Sequence, residues 1–219
     1  MLGYRFIRDD QQYKMNNGQH WQSVYRDRSA DEVSWYQSDP RVSLSLIRGC
    51  GLAPDAALLD VGGGASVLVE HLLQSGFCNI TVLDIAEEAL AVSRRRLGPE
   101  ADKVSWQVTD ITEFSPDRCY NLWHDRAVLH FLTSPRQRKA YRAVVEKALQ
   151  PGGHLVIGAF AKDGPTRCSG LEIVQYDASR LLEVLGPQFV LREERKEEHL
   201  TPAGKSQEFA WFCLQRVDD

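Results

Sequence analysis

The segment that most limits how this chain can fold is Ala57-Leu58-Leu59-Asp60-Val61, an apolar run that leads directly into Gly62-Gly63-Gly64. A short apolar run stopped by glycines reads as a buried strand. Glycine lacks a Cβ, so the backbone can turn sharply there and a ligand can lie against it. From Ala65 to Gln74 a helical period sets Val67, Leu68, His71 and Leu72 on one side, and Gly76 stops it. The helix is expected from about Ala65, with its free N–H groups aimed at whatever occupies the turn. Strand, glycine turn and helix make the opening unit of a parallel α/β sheet.

The same rhythm continues downstream. Asn79–Asp84, Val104–Thr109, Tyr120–His124 and His154–Phe160 read as strands. Glu87–Leu97, closed by Gly98, and Arg136–Leu149, closed by Pro151-Gly152-Gly153, read as helices. This alternation predicts a doubly wound sheet with helices on both faces. Gln188–Leu191 and Glu208–Leu214 are two further strand-like runs, joined by a polar stretch with no good helix, which suggests a closing antiparallel pair. The charge run Arg192–Glu198 is expected as a solvated strand end or turn. The expected division is a tail over 1–18, a helical cap over 19–56 and a catalytic domain over 57–219. Within the cap, Gln19–Asp27 and Val42–Arg48 read as helices flanking Glu32–Gln37, whose mixed aromatic and polar character suits a lid.

The turn departs from a dinucleotide fingerprint, since Val67 stands where G-x-G-x-x-G needs its third glycine. A nicotinamide-dependent oxidoreductase is therefore the weakest of the readings. Asp60 puts a carboxylate beside the turn, which suits a cationic amino-acid moiety better than a phosphate. Asp84 follows Gly62 by 22 residues at the end of the second strand, where an acid typically accepts both ribose hydroxyls. Asp110 follows the third strand and can accept from an adenine amino group while Ile111 packs on the ring. In open α/β sheets that edge holds the ligand.

Composition narrows the partners. At 219 residues, with 43% hydrophobic content, the chain suits one α/β domain. A net charge of −4 gives no general attraction to nucleic acid or an anionic membrane. No apolar run approaches the roughly 18–20 residues needed to span a bilayer. Met1–His20 has no apolar stretch of the secretory kind. The five cysteines are widely spaced without a C-x-x-C pair, so neither zinc nor a disulfide framework is expected. A cytoplasmic protein, monomeric or weakly homodimeric, is the resulting expectation.

At these residues the chain resembles the class I S-adenosylmethionine-dependent methyltransferase superfamily. Leu58–Gly64 is similar to its first motif, Val82-Leu83-Asp84 to its second, and Leu149–Gly153 to the segment before its fifth strand. Ser66 stands where many members carry glycine. The resemblance covers about Trp21 to Leu214. It implies a Rossmann-like seven-stranded sheet, mostly parallel with the last strand antiparallel, and S-adenosyl-L-methionine as cofactor. The candidate cofactor residues are Trp35, Tyr36, Asp60, Gly62, Gly63, Gly64, Asp84, Ile85, Asp110 and Ile111. His20-Trp21-x-x-x-Tyr25 with Glu32–Gln37 is similar to small bacterial and fungal methyltransferases, and loosely to elongation-factor lysine methyltransferases. The latter carry Asp-Lys-Gly-x-x-Asp after the fourth strand; here the stretch is His124–His130, without that lysine or final acid.

In this fold the methyl group should sit at the end of the fourth strand, at His124, Asp125 and Arg126. His124 is the candidate base, because its ordinary pKa of about 6.5 lies near neutrality; a packed strand-end histidine is an equal alternative. Asp125 and Arg126 could pair, orient the cap or contact an acceptor. No metal is assigned. The long segment after the fifth strand, Ala161–Gln175, could line an acceptor pocket through Cys168. The leading expectation is methyl transfer to a small-molecule nucleophile. The alternatives are a protein-lysine methyltransferase and a non-catalytic cofactor-binding protein.

Overall fold

The computed structural model describes residues 18–217. Its first five strands are β1 (Leu58–Val61), β2 (Ile80–Asp84), β3 (Val104–Val108), β4 (Tyr120–Arg126) and β5 (Leu149–Phe160). All five run parallel. β1 and β2 are buried along their whole length, as strands covered by helices on both faces must be. A two-residue hairpin, β6 (Arg167–Cys168) and β7 (Leu171–Glu172), stands apart from the main sheet. β8 (Phe189–Leu200) and β9 (Ser206–Arg216) complete that sheet. The order is β3-β2-β1-β4-β5-β9-β8, with β9 antiparallel to both neighbours. The chain reverses direction across the sheet between β1 and β4, the switch point at which such sheets bind ligands.

Helices cover both faces. They are α1 (18–27), α2 (Arg41–Gly49), α3 (Leu68–Gln74), α4 (Glu87–Leu97), α5 (Pro135–Ala148) and α6 (Ala178–Leu185). The alternation of side chains along β1 sends Leu59 and Val61 into one core with Trp123, Tyr141 and Leu181, under α5 and α6. Leu58 goes into the other, with Ile47 from α2, Leu72 from α3 and Leu90 from α4. α5 starts with a capping box, Ser134 Oγ accepting from Gln137 N–H and Gln137 Oε1 from Ser134 N–H. β5 and β9 approach closely because Gly158 lies against the Trp211 ring, where a Cβ would sit 2.9 Å from its carbons.

Four sequence expectations change. α3 begins at Leu68 rather than near Ala65, because residues 62–67 are used as a turn. Ser66 N–H bonds back to Gly63 O at 2.8 Å, and Ser66 Oγ then receives Leu68 N–H at 3.1 Å. α6, absent from the sequence reading, is a short helix capped by Asp177, whose side chain accepts from Arg180 N–H. The charge run Arg192–Glu198 is the interior of β8, whose side chains alternate between solvent and partial cover. β8 is the sheet's outer edge, and charged edge strands resist pairing with other chains. The connection between β8 and β9 is correspondingly short, spanning 201–205. Most of the expected N-terminal tail, residues 1–17, lies outside the described residues. Among the described residues no helix is long and apolar enough to cross a membrane.

Candidate active site

The carboxyl ends of β1, β2, β3 and β4 open into a cleft made of two cavities that share Tyr25, Trp35, Val61, Gly62 and Arg126. The larger runs from the ends of β2 and β3 across to β4. It contains Asp84, Ile85, Asp110 and Ile111 at one end, and Phe131, Cys168 and Phe209 at the other. The smaller contains Asp60, Gly63, Tyr36 and His124. The cofactor candidates therefore converge on one cleft, apart from Gly64, which lies behind it.

The glycine turn is compact for steric reasons. Gly62 has φ +67°, and a Cβ there would be 2.1 Å from Val128 Cγ2. One on Gly63 would be 2.4 Å from Asp60 Oδ2, and one on Gly64 2.6 Å from Asp84 Oδ2. Side chains of α4 hold the turn from outside. Ser93 Oγ donates to Gly64 O at 2.6 Å, and Arg96 donates to Ala65 O and Ser66 O at 3.0 and 2.6 Å. Neither residue was singled out from sequence, since a serine and an arginine on an amphipathic helix carry no local signal.

The acids differ in what they have left to offer. Asp60 Oδ1 is 2.7 Å from His124 Nδ1, while its Oδ2 is buried and, among the described residues, has no partner. Asp84 Oδ1 accepts from Ala86 N–H at 2.8 Å. Burial pushes the Asp84 carboxyl up to about 7, helped by the nearby Asp60 charge and opposed by the N–H groups of Ala86, Ile85 and Gly64. Asp110 Oδ1 accepts from Thr112 N–H and Oγ1 at 2.8 and 2.7 Å, which closes a turn after β3.

His124, Asp125 and Arg126 leave β4 in three different situations. His124 is buried between Asp60 and Ser43, whose Oγ is 3.0 Å from Nε2. Both ring nitrogens are thus occupied, and the ring reaches the cleft only on the glycine-turn side. Asp125 points to the opposite face, as successive strand residues must. It accepts from Val128 and Leu129 N–H and from Tyr141 OH at 2.7 Å, and burial pushes its carboxyl up to about 6. The pairing of Asp125 with Arg126 left open by the sequence is excluded by this geometry. Arg126 instead donates to Trp35 O at 2.7 Å and lies 4.9 Å from the Phe209 ring centre. Ala127 follows at φ +70°, a strained conformation for a residue with a Cβ, at the point where the chain turns under the cleft.

The N-terminal segment lies over this end. Trp35 Nε1 donates to Tyr25 OH at 3.0 Å, and Trp35 meets Trp21 edge to face at 5.4 Å. Trp21 meets Phe131 at 5.1 Å. The segment is stitched to β8 by His199 Nε2 donating to Ser34 O at 2.8 Å and Gln37 donating to Glu197 at 2.8 Å. Phe131 and Phe209 were missed from sequence, because an aromatic in a strand or a one-turn helix reads as ordinary core. Cys168 lines the cleft as a buried thiol, pushed by burial up to about 11. Among the described residues no three His, Cys, Asp or Glu side chains gather as a metal ion would require.

Comparison with known proteins agrees with this geometry. A family model described as a methyltransferase domain matches residues 58–153. Nodulation protein S of Rhizobium tropici is 30% identical over 145 residues, covering 64% of this chain and 60% of that protein, so the chain spans less than two thirds of that relative. EEF1A lysine methyltransferase 2 of Danio rerio is 21% identical over 196 residues, 83% of this chain and 78% of that one. Among solved structures, the 1,6-didemethyltoxoflavin-N1-methyltransferase of Burkholderia thailandensis, with bound 1,6-didemethyltoxoflavin and S-adenosylhomocysteine, superposes with a TM-score of 0.66. It is 21% identical and covers 97% of this chain and 88% of its own.

Proposed function

We propose that this chain is a class I S-adenosylmethionine-dependent methyltransferase, as the methyltransferase-domain match over residues 58–153 and the likeness to nodulation protein S support, and that it transfers a methyl group from S-adenosylmethionine to a small-molecule nucleophile. The observation that carries this reading is the buried, unpartnered Oδ2 of Asp60 beside a glycine turn that has no room for a Cβ. An unpaired carboxylate oxygen there needs a cation or donor, and the amino-acid ammonium of the cofactor is one. Asp84 at the end of β2 then suits the ribose hydroxyls, and Asp110 with Ile85 and Ile111 suits the adenine. All four line the larger cavity. These residues fit the cofactor.

When bound, the cofactor supplies a methyl group on a sulfonium, which the acceptor takes with its lone pair as the carbon–sulfur bond breaks. The chain's residues contribute position and shelter. Asp60 is held by His124, and His124 by Ser43, so a carboxylate is fixed beside the turn before anything binds. His124 thus serves as a positioning residue, and the acceptor proton leaves to solvent or to a base carried by the acceptor. Trp35 and Tyr25 offer aromatic faces, which attract a sulfonium as they attract other cations. The cap and the β6–β7 hairpin limit access of water to that end.

Two observations favour a small acceptor: the aromatic cap over β4, and the likeness in fold to the Burkholderia thailandensis 1,6-didemethyltoxoflavin-N1-methyltransferase, whose acceptor is a small molecule. The likeness to the Danio rerio lysine methyltransferase supports a protein acceptor as second reading. Incubation with methyl-labelled S-adenosylmethionine and a panel of thiols, phenols, carboxylates and amines separates them. Label in the low-mass fraction is expected; label only in protein fractions of a cell extract contradicts the first reading.

A further inference from the structure

The acceptor end of the cleft holds one group that its neighbours leave unfinished. Arg126 lines both cavities, and Nη1 is used by Trp35 O. Nε and Nη2 are buried and, among the described residues, have no hydrogen-bond partner. These two N–H groups point the same way from one edge of the guanidinium plane, the edge that receives both oxygens of a carboxylate. The carboxylate whose charge reaches Arg126 is Glu197. Its oxygens are already taken, Oε1 by Gln37 at 2.8 Å and Oε2 by Trp211 Nε1 at 2.7 Å.

A guanidinium keeps its charge when buried, and two donors left dry weaken the fold. Such a deficit is tolerated where a ligand makes it good. The surroundings describe that ligand. Phe209 lies on the guanidinium, and Trp21, Trp35 and Phe131 form edge-to-face walls close by. Asp84 ends β2 and Asp110 follows β3, with β1 between them and β4, so the larger cavity carries its acids at one end and its buried cation at the other.

We propose that Arg126 is the acceptor-binding residue and that the acceptor is a small aromatic carboxylate, its two oxygens on Nε and Nη2 and its ring against the aromatic walls. The assignment rests on the methyltransferase reading above. It also names a specificity rule: an amide or ester of the same acceptor leaves one N–H of the fork unpaired and binds more weakly. The carboxylate of the cofactor has the same chemistry, and the test separates the two sources.

The native protein is titrated with S-adenosylhomocysteine, and the saturated protein then with benzoate and indole-3-carboxylate beside benzamide and indole-3-carboxamide. Carboxylates are expected to bind the native protein at least tenfold more tightly than the amides. Arg126→Lys and Arg126→Met are expected to bind S-adenosylhomocysteine within about threefold of native and to lose most of that preference, the lysine keeping the charge without the fork. Melting temperatures establish that each variant is folded, and the native preference is read without any variant. Equal binding of carboxylates and amides, or binding of neither, overturns the proposal. So does a folded Arg126→Lys that loses S-adenosylhomocysteine by more than tenfold, which moves Arg126 to the cofactor carboxylate. A native protein that binds no S-adenosylhomocysteine overturns the methyltransferase reading and this proposal with it.

Discussion

The two ends of the cleft are built on different principles. The end at β1, β2 and β3 is made locally: each acid sits on or next to its own strand, and backbone N–H groups hold Asp84 and Asp110 within two residues of themselves. The end at β4 is made from distant pieces. Arg126 reaches Trp35 across 91 residues of chain, Gln37 reaches Glu197 across 160, and His199 reaches Ser34 across 165. Local construction leaves a readable pattern of strand, turn and acid. Distant construction depends on which side chains happen to meet, and only the folded chain shows that. The first end suits a group that never changes, the second a group that differs from one enzyme to another.

The largest expected effect breaks the local end. Gly62→Ala puts a Cβ 2.1 Å from Val128 Cγ2 at φ +67°. S-adenosylhomocysteine affinity, measured by calorimetry, should fall about 100-fold or more, close to 3 kcal/mol, as the turn is displaced. An affinity within threefold of native would show that the turn is not the cradle.

A second substitution at the same end should give effects of opposite sign. Burial raises Asp84 to about 7 from an ordinary 3.8, and Asp125 to about 6. A raised carboxyl binds its proton more tightly in the folded state, so the cofactor-free protein should lose stability as pH rises from about 4 to about 7. Asp84→Asn should therefore melt higher than native at pH 8, by on the order of 1 kcal/mol. It should nevertheless bind S-adenosylhomocysteine about tenfold more weakly, because an amide accepts from two hydroxyls poorly. Native affinity should itself weaken as pH falls through about 7, and the variant should lack that step. A variant that is both less stable and equally competent would refute the role assigned to Asp84.

The smallest effect on cofactor affinity is expected at the other end. Glu197→Ala removes the acceptor of Gln37 and of the Trp211 indole. It should cost about 1–3 kcal/mol, several degrees of melting temperature. Limited proteolysis between residues 28 and 40 should become faster, while S-adenosylhomocysteine affinity stays within about threefold. A large loss of cofactor affinity would mean that the two ends are one cooperative unit.

The same contrast explains what the sequence could tell. The alternation of Leu58–Val61 and Ile80–Asp84 with Glu87–Leu97 identifies the sheet, and the glycines with Asp60, Asp84 and Asp110 mark the edge at which the cleft lies. The apolar period places the start of α3 too early, because Val67 extends that period back into residues that the turn uses instead. β8 was hidden because an edge strand protects itself with charge, which reads as a loop. α6 is eight residues long, too short to declare itself beside a long segment rich in turn formers. His124 looked like a base, since nothing local says that Ser43 and Asp60 occupy both its nitrogens. Arg126 is legible as a residue at the end of the fourth strand, but its two donors without a partner among the described residues are a property of the fold alone.

The claim that the strand-end cleft is a methyl-donor site rather than a dinucleotide site is tested most directly by calorimetric titration of the native protein at pH 8. S-adenosylhomocysteine and NAD are added in separate experiments. The account predicts one S-adenosylhomocysteine per chain and no saturable binding of NAD. Saturable NAD binding without S-adenosylhomocysteine binding would contradict it.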